Sequence, residues 1–289
     1  MITLRDAMGR EVRLARPAHR VVSLVPSESE TVVMLGALDR LVGRTDYCVE
    51  PRGVIEGVPT VGGTKDARIA DVIARAPDLV LVNQEENTPQ IVRALEAASI
   101  TTHVSFPKTV EDAALLVREI ATMLGIDLAC DAITTMDAQL EEARARRAAR
   151  APVRVFCPIW MDPLMTIHGE TFLSDALDLA GGVNVFADRP RRYPLAADLG
   201  AREALPASAI AGRDTRYPRV TLEEVAARAP ALIVLPDEPH PFDAKDARVF
   251  SAIEGARVIF VSGRDLSWYS PRMGQGVLAI ADALDAYRG

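Results

Sequence analysis

Aromatic residues are scarce in this 289-residue chain, at 5%, with two tryptophans. Histidine is scarcer still, with four residues, and no two of them stand at helical metal-ligand spacing. Three cysteines, Cys48, Cys130 and Cys157, are an odd number at irregular spacing, which excludes a disulfide framework and a CxxC knuckle. No apolar run approaches the ~20 residues needed to span a bilayer. The start, Met1-Ile2-Thr3-Leu4-Arg5-Asp6, lacks the basic-then-apolar build of a signal peptide, so cytoplasmic residence stays open beside export. A net charge of -7 disfavours a nucleic-acid partner. GxGxxG, GxxxxGK(S/T), GxSxG, HExxH and EF-hand loops are all missing, which removes the positive case for an enzyme. Gly62-Gly63-Thr64-Lys65 is too short for a phosphate loop and reads as a turn. No catalytic residue, metal ligand or resident cofactor is therefore assigned.

What the sequence does contain is an internal echo. Residues 70–87 and 223–240 both run helix end, Ala-Arg-Ala-Pro, apolar strand, acidic loop. Ala74-Arg75-Ala76-Pro77 matches Ala227-Arg228-Ala229-Pro230, and proline halts each helix by disfavouring helical geometry in the residue before it. The apolar runs Leu79–Val82 and Leu232–Leu235 suit parallel strands buried on both faces. A weaker echo pairs Arg20-Val21-Val22-Ser23 with Arg154-Val155-Phe156-Cys157. Two echoes in the same order predict two similar lobes.

Between them, residues 127–150 contain no Gly or Pro and are dominated by strong helix formers. A helix of that length spans about 35 Å, a stiff strut rather than a flexible linker. Strands are expected near 20–25, 41–45, 78–83 and 101–105 in the first lobe, and near 153–160, 231–236 and 257–262 in the second. The helices between them imply parallel sheets with helices on both faces. The expected fold is α/β: two Rossmann-like lobes, 1–126 and 151–289, joined by a single long helix over 127–150. Ligands of such sheets sit beyond the carboxyl ends of the strands, which predicts a cleft between the lobes.

The few aromatics follow strand ends: Tyr47, Phe106, Trp160, Trp268 and Tyr269. Flat side chains at a cleft mouth offer large contact area at low entropic cost and suit a bulky planar ligand. The expected binding set is Ser27, Tyr47, Glu86, Trp160, Tyr217 and Trp268, with both tryptophans at the rim.

The stretch from Arg20 to Glu30, RVVSLVPSESE, resembles the opening strand and helix of the vitamin B12-binding protein family. That family belongs to the helical-backbone class of ABC-importer binding proteins, which also carry ferric siderophores, haem and metal ions. Val61-Gly62-Gly63-Thr64-Lys65, Gly181-Gly182-Val183-Asn184 and Trp268-Tyr269-Ser270-Pro271-Arg272 fit the same pattern. So does the run from Tyr217 to Glu224, and the resemblance covers roughly 3–288.

The resemblance implies a monomeric, extracytoplasmic receptor that delivers a small-molecule ligand, cobalamin or another metal chelate, to ABC-transporter permease subunits without chemistry. It implies corrinoid contacts from the loops of Tyr47, Trp160, Tyr217 and Trp268. Two other family tryptophans fall on Thr64 and Asn83, which departs from the pattern. It also implies docking to the permease through one surface acid per lobe: Glu223 in the second and, in the first, Asp71 beside the matching Ala70. The segment from Ala187 to Thr215 is longer than the usual connection, and its Arg192-Tyr193-Pro194 echoes Arg216-Tyr217-Pro218. The alternatives are a ferric-siderophore, haem or metal-ion receptor, and a cytoplasmic enzyme or corrinoid-handling protein on the same fold.

Overall fold

The buried apolar runs become central strands, and everything else is arranged around them. A computed structural model describes residues 1–288. It divides into two compact units, the first made of 1–107, 111–137 and 268–271, the second of 108–110, 138–267 and 272 onward.

In the first unit, β1 (Ile2–Arg5) and β2 (Glu11–Leu14) form an antiparallel hairpin. The sequence reading did not anticipate it, because four-residue strands are too short to display a period. Asp6 closes its turn by accepting the amides of Met8 and Arg10. The main sheet follows: β3 (Val21–Ser23), α1 (Pro26–Met34), β4 (Leu41–Arg44), α2 (Ile69–Ala74), β5 (Leu79–Asn83), α3 (Pro89–Ala97) and β6 (Thr102–Ser105). Its four strands are parallel in the order β4-β3-β5-β6. Val22, Leu24, Val80, Val82 and Val104 meet Val72 and Leu95 in one core cluster. Then come α4 (Val110–Leu124) and α5 (Asp131–Ala148). Gly125 ends α4 at φ +66, where a Cβ would come within 2.7 Å of Pro17.

The helix expected over 127–150 is shorter than foreseen. Residues 127–130 form a turn held by Asp127, whose side chain accepts the amide of Ala129. Residues 131–137 of α5 count with the first unit and 138–148 with the second.

The second unit holds β7 (Val153–Phe156), β8 (Pro158–Met161), β9 (Leu164–Thr166), α6 (Phe172–Leu179), β10 (Gly182–Asn184), α7 (Leu195–Asp198) and α8 (Leu222–Ala227). It ends with β11 (Leu232–Pro236), α9 (Ala244–Phe250), β12 (Arg257–Val261), α10 (Gly263–Ser267) and α11 (Met273–Arg288). Its parallel sheet runs β10-β7-β11-β12. In both sheets the first strand lies between the second and the third. The single strand expected over 153–160 is in fact two. Pro158 has no amide to give a ladder, and beyond Cys157 the chain turns into β8, which pairs antiparallel with β9. Cys157 is buried, and burial pushes its thiol up to about 12, so it is an inert core group.

The two sequence echoes prove to be contact partners. Ala76 and Ala229, each just before its proline, take up φ 46 and φ 45. The carbonyls that close the two helices are then clasped by an arginine from the first strand's start. Arg20 Nε donates to Ala76 O at 3.0 Å, and Arg154 Nε to Ala229 O at 3.2 Å. Arginine is the side chain whose fork can reach adjacent carbonyls while its stem stays extended.

Candidate functional site

In the first unit, buried polar side chains collect at the carboxyl ends of β3, β4, β5 and β6, in the loops that follow them and in α1. Asn83, at the end of β5, accepts the amides of Glu85 and Glu86 on Oδ1 and donates from Nδ2 to Ser105 at 3.0 Å. Asn87 accepts the Asn83 amide and donates to the carbonyls of Leu24 and Thr64. Thr64 and Asn83, where tryptophans were expected by resemblance, thus belong to one hydrogen-bonded frame that sets the loop geometry. An indole at Asn83 would remove three of those bonds.

Against this frame lies a sealed carboxyl. Glu28, in the first turn of α1, has no exposure to solvent. The Ser105 hydroxyl donates to one of its oxygens, and the other has no partner. Burial outweighs that bond and, with Glu86 nearby, pushes the acid up to about 8. Tyr269 shares Ser105, and burial together with Glu28, Glu86 and Glu85 holds its phenol well above its ordinary value. Glu86 is itself raised, first by burial and then by Glu85, with Lys65 opposing. Next along the chain, Ser270 donates to Glu30 at 2.5 Å, both buried. The segment 268–271 is therefore seated in the first unit by hydroxyl-to-carboxyl contacts. Ser27, expected to contact ligand, and Glu28, Ser29 and Glu30 beside it are all buried, and nothing in the sequence signalled this.

Tyr47 is the open aromatic of this unit, 63% exposed, and a Cβ on Gly63 would lie 3.3 Å from its ring. Ser27 is buried, so it supports α1 more than it faces solvent. Trp268 corrects the expectation of two rim tryptophans, being buried at 8% exposure.

In the second unit, Trp160 does stand open, at 44% exposure on β8, with its indole N–H on the carbonyl of Asp162 at 3.0 Å. It ends a file of rings running outward from the core. Phe186 and Phe156 are 5.4 Å apart, Phe156 and Phe250 5.9 Å, Phe250 and Phe242 6.4 Å, Phe242 and His240 4.5 Å, and His240 and Trp160 5.5 Å. Edge-to-face packing of this kind holds the outer ring without burying it. The sequence reading missed His240 as the support of Trp160. Tyr217 is half-buried, with the Arg216 guanidinium 5.4 Å from its ring centre. No group of three His, Cys, Asp or Glu side chains able to hold a metal occurs among the described residues.

Residues 21–247 match the family model described as "Periplasmic binding protein". The chain belongs to the periplasmic binding protein family.

Relatives of this binding protein include the vitamin B12-binding proteins of Vibrio cholerae and Yersinia pestis. The first is 26% identical over 179 residues, 62% of this chain. The second is 27% identical over 222 residues, 76% of this chain and 70% of the relative. The match spans 64% of the length of the Vibrio cholerae relative. Among solved structures, the periplasmic vitamin B12-binding protein of Vibrio cholerae superposes with a TM-score of 0.73 at 22% identity, covering 94% of this chain and 98% of that one. The periplasmic haem-binding protein of Roseiflexus sp. RS-1 gives 0.74 at 18% identity, covering 94% and 100%. These confirm the fold expected for a family member.

The acids proposed for docking sit differently from each other. Glu223 is exposed in the first turn of α8, and its own backbone N–H and Thr221 hold its carboxyl below the usual value. The register of α2 on α8 matches Ala70 to Glu223 and Asp71 to Glu224. Asp71 is bonded to Arg68 at 2.5 Å, much as Glu224 is to Arg189 at 2.9 Å. No described helix is long and apolar enough to cross a membrane.

Proposed function

We propose that this family member is the substrate-binding protein of an ABC importer and that its cargo is a bulky, flat chelate of the corrinoid kind. The observation that carries the reading is Trp160, an indole held open at the end of a packed file of rings beyond the carboxyl end of β7. Tyr47 is similarly open beyond β4 in the first unit. Exposed aromatic rings offer a flat ligand large contact area at low entropic cost. Relatives named as vitamin B12-binding proteins support the corrinoid choice.

The function is binding and delivery, without chemistry on the cargo. The chelate's metal arrives with the cargo and needs no protein ligand set. Ser27, Glu86, Tyr217 and Trp268 complete the proposed ligand surface from the surrounding loops, Trp268 as a support. Glu223 and Asp71 are the proposed contacts to the permease, and the working compartment is extracytoplasmic. Haem-binding proteins among the structural neighbours support a haem or ferric chelate as the second reading.

A thermal-shift panel of cyanocobalamin, cobinamide, haemin, a ferric siderophore and divalent metals separates these readings. The corrinoids should raise Tm saturably and the bare metals should not. A response to haemin alone selects the second reading, and no response to any chelate removes both.

A further inference from the structure

The long segment between β10 and α8 is built around one buried ion pair. Asp198, buried at the end of α7, accepts from Arg189 Nη1 at 2.9 Å, from the Arg192 amide at 2.8 Å and from the Arg219 amide at 2.7 Å. Arg189 also donates to Glu224 at 2.9 Å. Both carboxylate oxygens of Asp198 are thus engaged by Arg189 or by backbone.

Around that anchor the two echoed Arg-Tyr-Pro stretches lie side by side. The Arg191 amide donates to Thr215 O at 2.7 Å, and the Tyr193 hydroxyl to Asp214 O at 2.7 Å. Arg191 and Arg213 both stack on the Tyr193 ring, 4.4 Å and 5.0 Å from its centre. Arg219 comes close enough for Arg191 to oppose its charge, while Asp198 and Tyr193 favour it. Asp214, the other acid here, is held by Arg216 at 2.7 Å.

Two guanidiniums, those of Arg191 and Arg213, therefore gather at one tyrosine with Arg219 nearby, and none of the three is ion-paired to a carboxylate among the described residues. The Arg219 guanidinium makes no hydrogen bond there either, with Nε and Nη1 sealed from water and lacking an acceptor. Burial, with Arg191 adding to it, lowers its pKa. A buried guanidinium without acceptors is costly, and a like charge beside it adds to the cost. An oxyanion on the open side, bridging Nη2 of Arg219 with Arg191 and Arg213, would offset both. Arginine forks match planar and tetrahedral oxyanions by paired N–H donors.

We infer that Arg191 and Arg213, stacked on Tyr193, form with the nearby Arg219 a binding site for an oxyanion, either a carboxylate or a phosphate group. The site rests on the inserted segment alone and holds whether or not the cargo is a corrinoid.

The test uses the full chain at constant ionic strength, with inorganic phosphate, citrate and sodium chloride titrated in parallel. A saturable rise in Tm of about 5 °C at a hundredfold excess over Kd is expected for phosphate, citrate or both, and none for chloride. Phosphate alone or citrate alone identifies the preferred group. Arg219→Gln should weaken the response at least tenfold while leaving the apo protein as stable or more so. Arg213 is exposed, so Arg213→Gln should weaken the response without touching the fold. An equal response in wild type and both variants, or no response beyond chloride, overturns the inference.

Discussion

Arg20 and Arg154 clasp the ends of α2 and α8 with the same atoms, yet beyond those matching frames the two units bury different charged groups. The first unit seals acids: Glu28, with no ion pair, and Glu30, under the hydroxyl of Ser270. The second wraps an inserted segment round Arg189 and Asp198 and presents further arginines on Tyr193. The shared part is backbone geometry that any α/β unit of this strand order needs. The divergent part lies in the loops past the strands, where a parallel sheet leaves the chain free to vary. Stability differences between the units should therefore come from the loops, and stability likenesses from the clasps.

Removing the anchor of the second unit should have the largest effect. Asp198→Ala leaves the buried Arg189 with Glu224 as its remaining carboxylate partner and strips two backbone amides of their acceptor, a loss of about 3 kcal/mol. Hydrogen exchange should show the opening confined to residues near 187–219, with the part-buried Asp6–Arg10 pair of the first unit undisturbed. Opening spread evenly over both units would break the comparison.

The buried acid of the first unit should give a pH signature that the second lacks. Glu28 keeps its proton in the folded state up to about 8, against an ordinary value of 4.5. Between those values the folded state binds more protons than the unfolded one, so stability falls as pH rises and levels off above the upper limit. The slope contributed is about 1.4 kcal/mol per pH unit. In Glu28→Gln that contribution should vanish, and urea denaturation at pH 5 and pH 8 would reveal it. A variant retaining the wild-type slope would mean that Glu28 is hydrated and ionised.

The clasps should produce the smallest effects and the most similar ones. Arg20→Ala and Arg154→Ala each remove charge-assisted bonds to carbonyls from a largely exposed side chain, costing about 1 kcal/mol apiece. Urea midpoints for the two should agree closely. A several-fold disparity would show that the echo is a likeness of sequence without a likeness of role.

Much of the frame was legible because it is written in local chemistry. Proline after Ala-Arg-Ala, unbroken apolar runs and a Gly-free helical stretch each act on the backbone nearby, and β3, β5, β11, α4 and α5 followed within a few residues. The hairpins β1–β2 and β8–β9 did not, because their strands are short and their pairing is set by turns at Asp6 and at Asp162-Pro163. The site was less legible still. Trp160 is open as expected, but Trp268 is buried, since a residue's distance past a strand end says nothing about what folds over it. Glu28 and Glu30 were unreadable for the opposite reason, because buried acids and solvated acids look alike in a sequence. Arg219 could have been suspected from the echo of Arg192-Tyr193-Pro194 in Arg216-Tyr217-Pro218, which marks the two stretches that lie together.

The central claim, that Trp160 is held open to receive a flat chelate, is tested most directly by isothermal titration calorimetry of cyanocobalamin into the wild-type protein and Trp160→Ala. Losing one stacking ring from a preformed surface costs about 1–3 kcal/mol. The account predicts saturable binding at one ligand per chain, weakened about tenfold or more in the variant, with an unchanged melting temperature when no ligand is added. Absence of saturable binding to the wild type, or equal affinity in the two proteins, would contradict it.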